Sequence, residues 1–261
     1  MKPLDGQTAI VTGGGRGFGR AIAETLAAQG AAVVVASRNA PELDLVVTAI
    51  KKSGGKALAQ TADIADERQV QELVIATERW VGPATILVNN AGIVDPIGPL
   101  AETNGTAWLR NIAINVGGTY LATRTVLPGM LDRDYGRIVN ISSGAAEHAS
   151  AGWSAYCASK AAVDQLSRVL ALEMDGSGVS ICAFHPGLMD TAMQERIRRA
   201  TPDEFPRVGE FREAHAAGRV ADPLGPARIV AYLCSPAGAR NGATLEVTDL
   251  ELQRAADEAL R

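Results

Sequence analysis

The chain has 261 residues, 47% of them hydrophobic, which is enough for a sizeable core in one large α/β domain or two small ones. A net charge of −4, 21% charged residues and only 4% aromatics argue against a nucleic-acid-binding surface or a base-stacking platform. No apolar run approaches the roughly 20 residues needed to cross a bilayer, and MKPLDGQTAIVTGGG at the N-terminus holds no segment long enough for a signal peptide. The expectation is a cytoplasmic protein with no membrane and no nucleic-acid partner. Cys157, Cys182 and Cys234 are far apart and odd in number, as suits apolar fillers in a reduced compartment.

Apolar runs alternate with helical patterns almost from the start. TAIVT (8–12) reads as a buried strand, and GRAIAETLAAQG (19–30) as a helix stopped by Gly30. AAVVVAS (31–37) is a β-branched strand. A helix with the stripe Leu43, Val46, Val47 and Ile50 follows. A third strand is expected near 56–63, then a helix from the N-cap Asp66 to about Val81, then a fourth strand over TILVNNAG (85–92). Around NVGGTYLATRTVLPGML the helical signal is weakened by two glycines and Pro128. GRIVNISS (136–143), a helix through SAYCASK, VSICAFHPG (179–187) and ATLEVTD (243–249) complete the pattern.

Near-continuous apolar strands alternating with helices imply a parallel sheet covered on both faces. The expected fold is a single-domain Rossmann-type, doubly wound α/β sheet of about seven strands spanning 1–261. The least regular part, 188–222, is charged, carries Pro202 and Pro206, and reads as an insertion over one edge.

TGGGRGFG (12–19) lies between the first strand and first helix. Glycines there let the backbone approach a pyrophosphate, and the helix N-terminus offers free N–H groups. The spacing is Gly-x-x-x-Gly-x-Gly. Together with NNAG (89–92), SAYCASK (Tyr-x-x-x-Lys) and HPGLMDT (185–191), in that order, it resembles the short-chain dehydrogenase/reductase family. The resemblance implies an oxidoreductase acting on a carbonyl or secondary alcohol with a nicotinamide cofactor, and 188–222 as the segment that covers the substrate. Its motifs map cofactor contacts onto Gly13, Gly15, Arg16, Gly17, Phe18, Gly19, Ser37, Arg38, Asp63, Ile64, Asn90, Ala91, Gly92, Tyr156, Lys160, Pro186, Gly187 and Thr191. They map a catalytic set onto Asn115, Ser143, Tyr156 and Lys160, with Asn115 expected to hold a water linking Lys160 to solvent.

Ser37 stands where an NAD enzyme of this family usually carries an acid, with Arg38 after it and Arg16 in the glycine loop. Two guanidiniums suit a 2′-phosphate, which favours NADP(H). NAD(H) stays open because of Asn39 and the nearby Glu42, and the arginines have an ordinary reading as surface charges. Asp63 is placed by the resemblance at the adenine amino group, its alternative being a strand-end cap.

Tyr156 and Lys160 are one helical turn apart. A tyrosine has an unperturbed pKa of about 10, and a nearby ammonium lowers it; the expectation is that Lys160 tunes Tyr156 and holds the nicotinamide ribose. His148, His185 and His215 do not cluster in sequence and show no metal spacing, so no metal is expected. His148, Leu188 and Met193 are candidate substrate contacts, with core packing as the alternative for the latter two.

The C-terminal pattern NGATLEVTDLELQ lacks the family's usual Asp-Gly-Gly and resembles the sepiapterin-reductase and benzil-reductase branch. That branch implies Asp249 as a substrate anchor, or else a strand-end cap, and a vicinal dicarbonyl or similar ketone as substrate. A 3-oxoacyl-carrier-protein reductase is the rival reading, and a non-catalytic dinucleotide sensor the reading from another class. The tail LELQRAADEALR is helical in composition and is expected to pack on a neighbouring subunit or fray; a homo-oligomer, dimer or tetramer, is the family expectation.

Overall fold

The computed structural model describes residues 2–261. Its strands are β1 Thr8–Thr12, β2 Ala32–Ser37, β3 Lys56–Thr61, β4 Ile86–Asn89, β5 Gly136–Ile141, β6 Val179–His185 and β7 Thr244–Glu246. They form one parallel sheet in the order β3-β2-β1-β4-β5-β6-β7. The helices are α1 Gly17–Ala28, α2 Ala40–Lys52, α3 Glu67–Val81, α4 Gly105–Ile112, α5 Gly118–Asp132, α6 Ser154–Glu173, α7 Ala192–Arg198, α8 Val208–Ala216, α9 Leu224–Leu233 and α10 Leu250–Ala259. The strand order reverses at β1, which pairs with β2 on one side and β4 on the other. In open α/β sheets this switch point opens a crevice at the carboxyl ends of the strands.

The period-two geometry of a strand divides its side chains between two cores. Ala9, Val11, Val33, Val35, Val139 and Ile141 face α1, α2, α9 and α10. Ile10, Val34, Ala36, Ile138 and Ile181 face α3 and α5. With both faces covered, each strand has to be apolar on both sides, which is why the runs show no alternation.

The structure trims several expected elements. β4 ends at Asn89 because Asn90 and Ala91 turn their N–H groups onto Thr12 Oγ1, at 3.0 and 3.1 Å. β7 is only three residues long. The 188–222 segment is not irregular: it contains α7 and α8, short helices whose few apolar residues leave little periodicity to read. The C-terminal tail covers this chain's own core, with Leu252 and Ala256 of α10 and Leu260 just after it buried in the cluster that includes α9.

A third apolar cluster joins α7 and α8 to the start of α6. Trp153 stacks on Phe205 (centroids 4.4 Å apart) and meets Tyr156 and Phe211 edge-on, each at 5.4 Å. Phe205 is fully buried. Phe205→Ala removes the central ring and is expected to cost about 3–5 kcal/mol. Chemical denaturation should read that loss, whereas a change under 1 kcal/mol would mean the cluster does not hold the segment.

Candidate active site

A cleft of about 1280 Å³ opens at the carboxyl ends of the strands. It is lined by the glycine loop, the ends of β2, β4 and β5, the start of α6, and the segment from Pro186 to His215. A hollow of about 1100 Å³ at the opposite end of β1–β3, near Lys2, Gly6 and Lys56, holds none of the motif residues.

Every residue mapped above as a cofactor contact lines the cleft. α1 begins at its floor. Arg16 at its N-cap makes no side-chain cap, and its first turn has no acidic residue. In contrast α2, α3 and α4 are capped by Asn39, Asp66 and Asn104. The free N–H groups and positive end of α1 therefore face the cleft and fit a bound pyrophosphate. The loop has no room for a side chain at Gly19, where a Cβ would stand 2.2 Å from the Gly13 carbonyl oxygen. Asn90 pins the loop from above, its Nδ2 donating to the carbonyls of Thr12 (3.0 Å) and Gly13 (3.2 Å).

Ser37 and Arg38 line the cleft at the carboxyl end of β2, and Arg16 lines it in the glycine loop. Glu42 is there too, with its carboxylate 3.6 Å from the Arg16 guanidinium. Asp63 is paired with Arg110 of α4. Burial works to raise its pKa, but hydrogen bonds from Ala65 N–H and Arg110, with the charges of Arg110 and Arg38, hold it below the ordinary value. The Arg110 pairing has no signal in the spacing of the chain.

Ser143 ends the turn after β5, and Tyr156 and Lys160 lie on the first turns of α6, all three lining the cleft. Tyr156 and Lys160 are 7% and 5% exposed. The Lys160 ammonium donates to the Ile141 carbonyl at 2.7 Å and stands 5.8 Å from the centre of the Tyr156 ring. Burial pushes the Tyr156 phenol above its ordinary pKa, against the lowering effect of the Ser143 hydroxyl. Burial pulls Lys160 down to about 8, against the raising charge of Asp164. Against the expectation that Lys160 depresses the tyrosine, burial is the largest influence on the phenol in the structure, and the Ser143 hydroxyl rather than the Lys160 charge opposes it.

Asn115 sits in a π-helical turn, Ala113–Gly117, between α4 and α5. Its Oδ1 accepts from Ile93 N–H at 2.9 Å, and its Nδ2 faces Ile93 O, Asn111 Oδ1 and Ser159 Oγ at 2.9–3.0 Å. The side chain is committed to the protein and does not line the cleft. His148, Leu188 and Met193 do line the cleft, with Met193 Sδ 4.0 Å from the Tyr156 hydroxyl. Asp249 does not. It caps α10, its Oδ1 accepting from Glu251 and Leu252 N–H at 3.0 and 3.1 Å, as in the capping alternative.

The fold also brings in residues that sequence reasoning passed over. Arg196 of α7 reaches Asp95 at 2.8 Å across the cleft mouth. Arg198, mostly buried, lies 3.6 Å from Asp190. Arg207 and Trp153 complete the wall. All but Trp153 belong to stretches read as loop or insertion.

The chain matches the short chain dehydrogenase family over residues 7–202. It is 33% identical to the oxidoreductase UcpA of Escherichia coli K12, with 95% of each chain aligned. It is 35% identical to 2,3-dihydro-2,3-dihydroxybenzoate dehydrogenase of Bacillus subtilis 168, with 74% of each aligned. Among solved structures, a variant of actinorhodin polyketide ketoreductase with NADPH superposes with a TM-score of 0.86 at 33% identity, over 95% of this chain and 97% of that one. The chain belongs to the short-chain dehydrogenase/reductase family. It is thus an oxidoreductase of CH–OH and C=O groups with a Rossmann-type nicotinamide-dinucleotide fold. Among the described residues no helix is long and apolar enough to cross a membrane.

The depressed lysine is measurable. In protein carrying 13C-labelled lysine, one side-chain resonance should titrate near pH 8, charged below and neutral above, against about 10.4 for an unperturbed lysine. The Lys160→Met variant should lack that resonance. A full lysine set titrating above 10 would contradict the desolvated placement.

Proposed function

We propose that the protein is a carbonyl reductase, and in reverse a secondary-alcohol dehydrogenase, which prefers NADP(H) and takes a ketone with an apolar flank. The observation that carries this reading is the meeting of the Tyr156 phenol, the Ser143 hydroxyl and the Lys160 ammonium in the cleft that also holds the uncapped start of α1. The nicotinamide, when bound, supplies the hydride to the carbonyl carbon. Ser143 and Tyr156 hydrogen-bond the carbonyl oxygen and stabilise the negative charge that develops there. Tyr156 then gives its proton to that oxygen, leaving a phenolate and the alcohol product.

The opposed pKa directions suit this sequence. A phenol held above 10 stays protonated until an alkoxide, a much stronger base, develops beside it. An ammonium near 8 can then return a proton to the phenolate downhill. Lys160 would thus recharge Tyr156, and hold the ribose. Asn115 would act by fixing the 93 loop and Ser159, next to the residues that do the chemistry.

The cofactor preference rests on Arg16 and Arg38 at the adenosine end. Glu42 opposes it, because its carboxylate draws on Arg16 and would repel a 2′-phosphate. The apolar substrate flank rests on Met193, Leu188, Val94 and Phe211 along the cleft wall. A vicinal dicarbonyl remains within this class, without the Asp249 anchor. A 3-oxoacyl thioester is the second reading, supported by the likeness to the polyketide ketoreductase.

Two experiments test these roles. Tyr156→Phe is expected to lower kcat by about 10²–10⁴-fold with cofactor affinity nearly intact, read from nicotinamide absorbance against a panel of diketones and 3-oxoacyl thioesters. Wild-type turnover in the variant would remove the acid assignment, and cofactor binding without turnover on any carbonyl would favour the sensor. For the cofactor, Arg38→Asp should move kcat/KM from NADPH towards NADH, while Glu42→Gln should move it further towards NADPH. An unchanged ratio in both would overturn the phosphate reading.

A further inference from the structure

At the β6–β7 edge, outside the cleft lining, the fold brings together three donors that are far apart in the chain. They are His185 at the end of β6, Glu246 at the end of β7 and Glu147 just after the turn that carries Ser143. One ligand atom from each lies within 4.8 Å of the others. The His185 side chain is 4% exposed, and its Nδ1 has no hydrogen-bond partner among the described residues. That nitrogen is 3.9 Å from Glu246 Oε1. A buried, unpartnered ring nitrogen is costly unless something fills its lone pair or takes its proton.

His185 and Glu246 are each oriented by a further contact. The Nε2 side of His185 lies 2.9 Å from Asp164 Oδ2, the carboxylate–histidine arrangement that sets the ring and its tautomer in metal sites. With Nε2–H donating to Asp164, Nδ1 is left as a lone pair on the side of Glu246. Glu246 Oε2 accepts from the Thr248 hydroxyl at 3.0 Å, which turns Oε1 towards His185. Two donors each about 2.1 Å from a common ion sit about 3–4.2 Å apart. The His185–Glu246 separation falls in that range. The widest separation closes by rotating an exposed glutamate.

We propose that Glu147, His185 and Glu246 form a binding site for a divalent transition-metal ion of the zinc class, with water completing the shell. One imidazole and two carboxylates are the nitrogen and oxygen donors such an ion accepts. The ion would tie the loop after β5, four residues beyond Ser143, to the β6–β7 edge. It would also brace the Pro186–Gly187 turn that follows His185. Its role is to fix that wall of the cleft, and it touches neither substrate nor cofactor. The competing arrangement is a proton in place of the metal, an imidazolium between Asp164 and Glu246.

The test is titration of the metal-stripped full-length protein with Zn²⁺, followed by calorimetry and thermal unfolding. One ion per chain is expected, and at 100-fold excess over Kd the melting temperature should rise on the order of 5 °C. Glu246→Gln and Glu147→Gln change exposed side chains, so they should fold and melt like the parent without metal, but bind Zn²⁺ at least tenfold more weakly. X-ray absorption of the loaded protein should show one imidazole and no sulfur in the zinc shell. Absence of binding by the parent would leave the imidazolium arrangement and overturn the proposal. Undiminished binding by the Glu147→Gln/Glu246→Gln double variant, or sulfur in the shell, would place the metal elsewhere and overturn it equally. None of these readouts needs turnover, so the metal site and the reductase reading can fail separately.

Discussion

The burial of Lys160 is the constraint around which the active end of the molecule is organised. A cation taken out of water is tolerated only when its N–H groups find acceptors, and here the last carbonyl of β5 supplies one at 2.7 Å. That bond fixes α6 against the end of β5, and so fixes Tyr156 one turn earlier over the turn carrying Ser143. The same burial separates the two pKa values, raising the phenol and lowering the amine. Position and acidity thus share one cause.

A frame of buried amides keeps the strand ends level with that lysine. Asn89 Nδ2 donates to Asn140 Oδ1 at 2.8 Å and to Thr123 Oγ1 at 3.0 Å, and Asn140 Nδ2 donates to Ser167 Oγ at 2.9 Å. These bonds join β4 and β5 to α5 and α6. Asn115 does the same for the loop after β4, and Asn90 for the glycine loop. A net hydrogen bond contributes only about 1 kcal/mol, but an amide left unpaired in the interior costs about 1–3 kcal/mol. The network therefore stabilises modestly and penalises alternative strand registers strongly.

This division explains what was legible in the sequence. Strands β1 to β6 could be read because a sheet covered on both faces needs apolar runs, and the glycine loop because Gly19 stands where no side chain fits. Helix α5 was blurred by its glycines, yet Gly118 is demanded by packing: a Cβ there would stand 2.3 Å from Ile64 Cδ1. A propensity scale counts against a residue that tertiary contact requires. Helices α4, α7, α8 and α9 were passed over because they are short or lack a clean stripe. The role of Asp249 was ambiguous because an acid before a helix reads equally as a cap or a ligand, and only the helix that follows it decides. His185, Glu147 and Glu246 had no motif, since a parallel sheet gathers the ends of distant strands.

The covering segment is held by aromatic packing more than by charge. The Arg196–Asp95 pair is exposed on both sides, and such pairs contribute about 0–1 kcal/mol. The four ring contacts among Trp153, Tyr156, Phe205 and Phe211 each add about 0.5–1.5 kcal/mol beyond the area they bury. Trp153 stands at the N-terminus of α6 with Tyr156 on its edge, so the rings that seat α8 also buttress the phenol. A substrate that repacked Phe211 would act on Tyr156 through Trp153. The segment over the cleft and Tyr156, the proposed acid, are therefore one packing unit, and a change made at Phe205 or Phe211 carries a change in the phenol's position with it.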